Sequence, residues 1–545
     1  MASPLSCRRL APLIALAGIA FVSPAMASTA RQPSPAAECI ALTALKLPNT
    51  RIVSAEAVAN PAQLSGSALP AGLPPFCRVV ARVHDAPDSD IGIEIWLPFD
   101  NWAGVFHGTG NGGFGGVLTG GYGAMAQGLR RGYSTATTDT GTSPATPLSG
   151  DALIGHSRKW RDWGKLSTHV MTVTGKALSR AFYGRNPARS YYTGCSTGGQ
   201  QGLIEALHYP ADYDGILVGA PVINRTWGHA AVLWDYAAAH ASPSSMLSPA
   251  NLDLLNRAAI AQCGQNGFGL AGDAFIADPM SCRFDPAVLI CKASESDGCL
   301  SAPQVATARA FYSGPVARDG RPRFYGWLPG SEVAGRYGWS FLQTDTNGDP
   351  QFASLFKWVF GADWNWLGFD FDRDMARVDT TLDASVNDAT RGTLAAFERH
   401  GGKLIMYHGL ADTLVPPGQS VDFYERQSAV LGGAKRLGES ARLFLAPGMM
   451  HCAGGPGPDV LNSASGGPRV PVPGPGYDLF RALVDWREKG RAPDAVIATK
   501  YANDRLGGIE LQRPICAYPR QARYTGSGST AAASSFTCSV PARRR

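Results

Sequence analysis

The sequence predicts an α/β fold: a sheet of mostly parallel strands, interrupted by one large insert and tied by several disulfides. Three observations carry this. Short apolar runs end in glycine turns and lead into helix-compatible stretches, as strand–turn–helix units do. That alternation stops near Asn224 and resumes after Arg391. Ten cysteines remain once the N-terminal leader is set aside, an even number suited to full pairing.

A chain of 545 residues can bury one large core plus a second domain or insert. Hydrophobic content of 45% and charged content of 17% are globular values and exclude wholesale disorder. Arg8 and Arg9 precede the apolar run from Leu10 to Val22, and Ala25-Met26-Ala27 offers small residues where a signal peptidase inspects the chain. Residues 1–27 therefore read as a cleaved signal peptide, and the mature protein as secreted or periplasmic. The run is shorter than the roughly 20 residues of a membrane span, and no later stretch is long and apolar enough, so no membrane attachment is expected after cleavage. Without the leader the net charge falls by two, from +6 to +4, too small for an electrostatic nucleic-acid footprint. Export also places the thiols in an oxidising compartment, where they pair. No C-x-x-C occurs, and Cys291 and Cys299 lie too far apart for a zinc knuckle.

Taken in order, Ile91 to Leu97 alternates as a strand, and a turn over Pro98 to Asn101 leads into a second strand from Trp102 to Phe106. The glycine-rich loop from His107 to Gly116 follows. It contains G-x-G-x-x-G at Gly108, Gly110 and Gly113, but lacks the helix and the acidic residue about 20 positions on that a dinucleotide site needs. The loop reads instead as a place where backbone amides meet a developing oxyanion. Gly113 is the expected donor, with Gly112 an open alternative. Arg189 to Thr193 is β-prone, and Gly199 to His208 is helix-compatible with Leu203, Ile204 and Leu207 on one face. Between them Gly194-Cys195-Ser196-Thr197-Gly198 has the pattern of a nucleophile elbow, which exposes a serine hydroxyl above the sheet on a strained turn. The Thr197 amide, next after the serine, is the second oxyanion donor.

The fold is therefore an α/β-hydrolase core with a large inserted lid domain. Its first part is 28–223, the lid 224–391 and the second part 392–545. Tyr213 to Pro221 is a buried parallel strand. The insert is rich in turns, cysteine and tryptophan; most of the tryptophans build its own core, and one or two face the cleft. Leu404 to His408 and Arg442 to Leu445 are strands, each followed by a polar residue, Asp412 and His451. Catalytic loops of an open α/β sheet collect at such strand ends. Tyr477 to Lys489 is an amphipathic helix.

A serine hydroxyl attacks only when a base takes its proton, and a histidine does so when a carboxylate holds its tautomer. Ser196, Asp412 and His451 occur in the order serine, acid, histidine that this fold uses. His107, His208 and His408 each have a packing or backbone-bonding explanation. Asp370, Asp372 and Asp374 begin like a calcium loop, but Met375 and Thr381 stand where an EF-hand needs Gly and Glu, so they read as a solvated or capping cluster. Cys195 precedes the serine and Cys452 follows the histidine. If Ser196 and His451 meet, these cysteines are neighbours, and a disulfide between them would lock nucleophile to base. The other eight fall into near pairs: Cys39 with Cys77, Cys263 with Cys282, Cys291 with Cys299, and Cys516 with Cys538.

On Gly194-Cys195-Ser196-Thr197-Gly198-Gly199, on Gly402-Lys403-Leu404 through His408-Gly409-Leu410-Ala411-Asp412, on His451-Cys452, and on Asp278-Pro279 with Cys282-Arg283-Phe284-Asp285-Pro286, the chain resembles the tannase and feruloyl esterase family of secreted serine hydrolases, which also includes the mono(2-hydroxyethyl) terephthalate hydrolase. The resemblance covers nearly all of the mature chain. It implies Ser196, Asp412 and His451 as nucleophile, acid and base, the insert as a lid over aromatic acyl groups, and as substrate a small aromatic carboxylic ester such as a feruloyl, galloyl or related phenolic ester. Within the lid, Arg336, Trp339 and Trp358 are candidates for gripping the acyl ring. Three other readings stay open: a serine peptidase, a terephthalate-monoester hydrolase, and a non-catalytic ligand-binding homologue.

Lids of this family hold calcium through three carboxylates and two backbone carbonyls just after a cysteine. Here the stretch from Cys263 to Asp273 keeps only Asp273, and its first position is Gly264. Calcium needs several hard oxygens with negative charge. The expectation is a weak or absent calcium site, the loop held instead by Cys263–Cys282, with no cofactor required and no catalytic metal.

Overall fold

Nine strands form one sheet in the computed structural model, which describes residues 34–60, 69–292, 297–335, 337–346, 348–464, 471–504 and 507–541. The expected signal peptide over 1–27 lies outside them. In chain order the strands are β1 (Thr50–Val58), β2 (Phe76–Val83), β3 (Ile91–Pro98), β4 (Val105–Thr109), β5 (Ser134–Thr138), β6 (Arg189–Cys195), β7 (Gly215–Gly219), β8 (Lys403–Gly409) and β9 (Ala441–Ala446). Their spatial order is β1-β2-β3-β5-β4-β6-β7-β8-β9. The first three and β5 pair antiparallel; from β5 onward every neighbour is parallel.

Helices cover both faces, and this burial explains the strand sequences. Every residue of β3, β4, β5 and β7 is buried, so these strands carry continuous rather than alternating signals. β5, with the sequence Ser-Thr-Ala-Thr-Thr, has almost no apolar signal and was not legible as a core strand. Two of its four hydroxyls find backbone acceptors, Ser134 Oγ donating to the Val105 carbonyl at 3.1 Å and Thr138 Oγ1 to that of Gly92 at 2.9 Å, while those of Thr135 and Thr137 are buried without a partner. The strand expected over Trp102 to Phe106 begins at Val105 instead, because Asn101 takes a left-handed φ of 57° and prolongs the preceding turn.

Five helices position the site. They are α1 (Ser167–Tyr183), α2 (Thr197–His208), α3 (Arg225–Ala239), α4 (Arg373–Val386) and α5 (Leu479–Lys489). α2 is buried from Thr197 through Leu207. On the opposite face of the sheet, Leu479, Phe480, Leu483 and Trp486 of α5 pack with Tyr191, Leu217 and Tyr407.

Among the described residues, nothing between β7 and β8 joins the sheet. This insert builds a large apolar cluster around Leu252, Phe311, Trp327 and Trp339, and a small one of Ala259, Ile276 and the Cys263–Cys282 pair. Another cluster sets its Trp358 and Leu355 against Phe114, Trp160 and Trp163 of the first part of the core. Asp370, Asp372 and Asp374 lie at the start of α4 and take up Arg318, Arg323 and Arg373, as a capping cluster would. All five expected disulfides are formed: Cys39–Cys77, Cys195–Cys452, Cys263–Cys282, Cys291–Cys299 and Cys516–Cys538. No helix among the described residues is long and apolar enough to cross a membrane.

Candidate active site

Ser196 stands between β6 and α2 with φ 63° and ψ −122°, a conformation that costs a non-glycine residue about 1–3 kcal/mol. Its N–H is tied down by the Gly219 carbonyl at 3.0 Å. The turn is tight enough that a Cβ on Gly194 would lie 2.5 Å from the Gly198 carbonyl oxygen, so the flanking glycine is a steric requirement.

Asp412 follows β8 and is wholly buried. Its Oδ1 accepts the Leu414 and Val415 amides at 2.8 and 3.0 Å, which fixes the carboxylate plane. Its Oδ2 meets His451 Nδ1 at 2.8 Å. Burial works to raise the Asp412 pKa, but the His451 charge and hydrogen bonds from His408 and His451 outweigh it and hold the group well below the usual carboxylate range. With Nδ1 committed to the carboxylate, Nε2 is the imidazole atom left for a proton transfer. His408, read from sequence as a packing or backbone-bonding residue, bonds the Val415 carbonyl and the Ser420 hydroxyl at 2.9 and 2.8 Å and also lies 3.3 Å from Asp412 Oδ2.

Ser196, His451, Cys195 and Cys452 line one cavity of about 310 Å³. Ser196 and His451 are not hydrogen-bonded to each other, a looseness common at such sites before substrate tightens them. The Cys195–Cys452 bond spans a sequence separation of 257 residues and holds the two together. Loop closure of that length is worth up to about 5 kcal/mol. Cys195→Ala/Cys452→Ala is therefore expected to lower Tm by several degrees, and to lower kcat more than tenfold because the serine and histidine are no longer held in register. Thermal melts and ester turnover on the same preparation check both.

The two expected oxyanion residues are brought together: Thr197 Oγ1 donates to the Gly113 carbonyl at 2.8 Å. Gly113 has φ 53°, and a Cβ there would sit 1.7 Å from the Pro147 carbonyl oxygen. Phe114, Gly115 and Gly116 spend their N–H groups on the carbonyls of Pro147, Gly112 and Asp139. That leaves Gly112 and Gly113, both lining the cavity, as the amides this loop can offer. Thr197 opens α2, where the first N–H groups have no intrahelical acceptor.

The ring-gripping candidates fare differently. Arg336 lies outside the described residues. Trp339 and Trp358 are core residues: Trp339 packs on Phe311 and Tyr312, and Trp358 stacks on Trp160 and meets Phe114 edge-on. Their indole N–H groups are satisfied internally, by Ser331 Oγ and the Gly150 carbonyl. No tryptophan is among the residues lining the Ser196 cavity, contrary to expectation, because the large rings bury more area inside the insert. The insert supplies Arg225, Gly228, His229, Val232, Tyr337 and Phe352 instead. Arg225 is buried and donates to Gln200 Oε1 from Nε at 2.9 Å and to Thr197 Oγ1 from Nη2 at 3.2 Å. It lies just past β7, the same strand-end signal that singled out Asp412, and could have been found by it.

In the loop where the resemblance implies calcium, Asp273 is engaged by Arg513 at 2.7 and 2.9 Å, and that guanidinium lies over the Phe536 ring at 4.1 Å.

A mostly parallel sheet with an elbow serine and a carboxylate-bound histidine at its C-terminal edge places the chain among the α/β hydrolases. Its family follows from the comparisons. The model described as tannase and feruloyl esterase matches residues 77–539, and the chain belongs to that family of carboxylic ester hydrolases. An uncharacterized esterase of Xanthomonas campestris pv. campestris is 37% identical over 93% of this chain and 92% of its own. The mono(2-hydroxyethyl) terephthalate hydrolase of Piscinibacter sakaiensis is 31% identical over 86% of each chain. The crystal structure of feruloyl esterase B from Aspergillus oryzae superposes with a TM-score of 0.81 at 27% identity, covering 93% of this chain and all of that one.

Proposed function

We propose that the protein is an exported esterase that hydrolyses aromatic, phenolic carboxylic esters through an acyl-enzyme on Ser196. The observation that carries the reading is the buried Asp412 bonded to His451 Nδ1 at 2.8 Å, with His451 lining the same cavity as Ser196. Ser196 Oγ attacks the ester carbonyl as His451 Nε2 takes its proton, and the imidazolium returns that proton to the leaving alcohol. Asp412 holds the tautomer and stabilises the imidazolium. The amides of Thr197 and of Gly113, or its neighbour Gly112, hold the oxyanion. Water activated by His451 then releases the acid.

The insert over 224–391 acts as a lid, a reading supported by the six residues it contributes to the cavity. A volume of about 310 Å³ is at the small end for ligand pockets and suits a single-ring acyl group. Val222, Val232, Phe352 and Leu414 offer apolar walls for the ring, and Arg225 and His229 offer polar partners for its oxygens. Export is supported by the five disulfides. No metal is required: the one acidic side chain left in the expected calcium loop already neutralises Arg513, and this donor set does not fit a calcium ion.

A panel of methyl ferulate, methyl gallate, a terephthalate monoester, a short p-nitrophenyl ester and a peptide amide tests the substrate class. A phenolic ester is expected to exceed the terephthalate monoester by about tenfold or more in kcat/KM. A preference for the terephthalate monoester would move the protein to that activity, and amide cleavage to a peptidase.

A further inference from the structure

Away from the cavity, three potential ligands converge. His169 projects from α1, Glu205 from the last turn of α2, and Asp212 from the loop leading into β7; one ligating atom of each lies within 4.8 Å of the others. Glu205 is fully buried and no donor group reaches either of its carboxylate oxygens; its hydrogen-bonding neighbour is the Asp212 carboxylate, with which it can share only a proton. A buried carboxylate left in this way is costly unless a proton or a cation neutralises it. The nearby Lys176 ammonium does not do so by contact: it donates to the Asp212 backbone carbonyl and lies over the Tyr213 ring.

The geometry around Glu205 is already ordered. The His169 ring is stacked on Tyr209, with centroids 3.8 Å apart and planes 9° off parallel, and its Nδ1 is 2.6 Å from Asp212 Oδ2. The Asp212 N–H bonds the Tyr209 carbonyl at 2.9 Å, which closes the turn that presents the carboxylate. Two ligands therefore sit on fixed backbone beside a third that lacks any donor. His169 and Asp212 side chains retain 31% and 16% exposure, so the cluster opens to solvent on their side.

We propose that His169, Glu205 and Asp212 form a divalent transition-metal site of the zinc class, clamping α1 to the end of α2 and to the loop before β7. One imidazole and two carboxylates, with water in the fourth position, make a tetrahedral donor set for zinc. Donor atoms in such a site stand about 3.4 Å apart, so side-chain rotations must open the 2.6 Å His169–Asp212 contact and bring all three atoms, now within 4.8 Å of one another, to that spacing. Calcium is excluded by chemistry, since it wants six to eight oxygens. Glu205 lies nine residues beyond Ser196 on the same helix, about 13 Å along its axis, so the ion stiffens the nucleophile helix without touching the reaction.

The full-length mature protein, stripped with EDTA and dialysed, is titrated with ZnCl2 by calorimetry and melted with and without the metal. One zinc per chain and a raised Tm are expected, with no response to CaCl2 at the same concentration. His169→Phe keeps the stack on Tyr209 and removes the nitrogen; Glu205→Gln keeps the volume and removes the charge. Each is expected to weaken zinc binding by about a hundredfold or more, given that outer-shell changes alone cost 10–100-fold, and to leave ester turnover unchanged. Absence of a zinc response in the wild type, or zinc binding that persists in either variant, overturns the site. Should Glu205→Gln fail to fold, His169→Phe, at a partly exposed position, decides alone.

Discussion

Ser196→Ala is expected to lower kcat on the preferred ester by about 10⁴- to 10⁶-fold with little change in KM or Tm. The hydroxyl carries no structural hydrogen bond to His451, and alanine meets the same left-handed backbone at φ 63° that serine does, so the variant should fold as the wild type. What remains after the substitution is binding in the cavity and amide stabilisation of the oxyanion, which sustain a residual rate with water as the nucleophile. Single-turnover kinetics on a p-nitrophenyl ester make the comparison direct: a burst equal to enzyme concentration in the wild type, and none in the variant. Retention of the burst would remove Ser196 from the mechanism.

Asp412→Asn is expected to cost about 10⁴-fold in kcat. An asparagine can still accept the Leu414 and Val415 amides with Oδ1, but its amide nitrogen then faces His451 Nδ1 as a donor and imposes the wrong tautomer. The same substitution has a pH signature. Because the folded-state pKa of Asp412 lies below its unfolded value, the native state binds fewer protons at this group. The stability it contributes is complete above the ordinary carboxylate pKa of about 3.9, and is lost as pH falls from there toward the depressed folded value. The wild-type Tm should thus fall steeply below about pH 4, and that acid limb should flatten in Asp412→Asn. Parallel limbs would mean that the carboxylate contributes nothing to acid stability.

Local chemistry made much of this molecule legible. Glycines flank Ser196 because a side chain there would collide with the turn, and the same constraint makes the elbow visible in any strand–helix context. Cys195 and Cys452 announce the meeting of serine and histidine because adjacency to two residues that must touch forces a third contact. Signals failed where burial was achieved by other means than apolar surface. β5 is interior although four of its five side chains carry hydroxyls, only two of them bonded to backbone carbonyls, and no hydrophobic pattern reports such a strand. His408 read only as a packing or backbone-bonding residue because its contact with Asp412 depends on how the turn after β8 folds back.

By itself the sequence determined the strand–turn–helix unit of the elbow, the serine–acid–histidine series and the cysteine pairs, because each rests on near neighbours or on a short list of permitted partners. Only the tertiary structure decided which side chains reach the cavity. Arg225, His229 and Phe352 arrive there, while Trp339 and Trp358 turn inward, because a long insert chooses between core and cleft by the packing of the whole. It also decided that Asp273 meets Arg513, 240 residues away, since a buried carboxylate takes whatever cation the fold delivers to it.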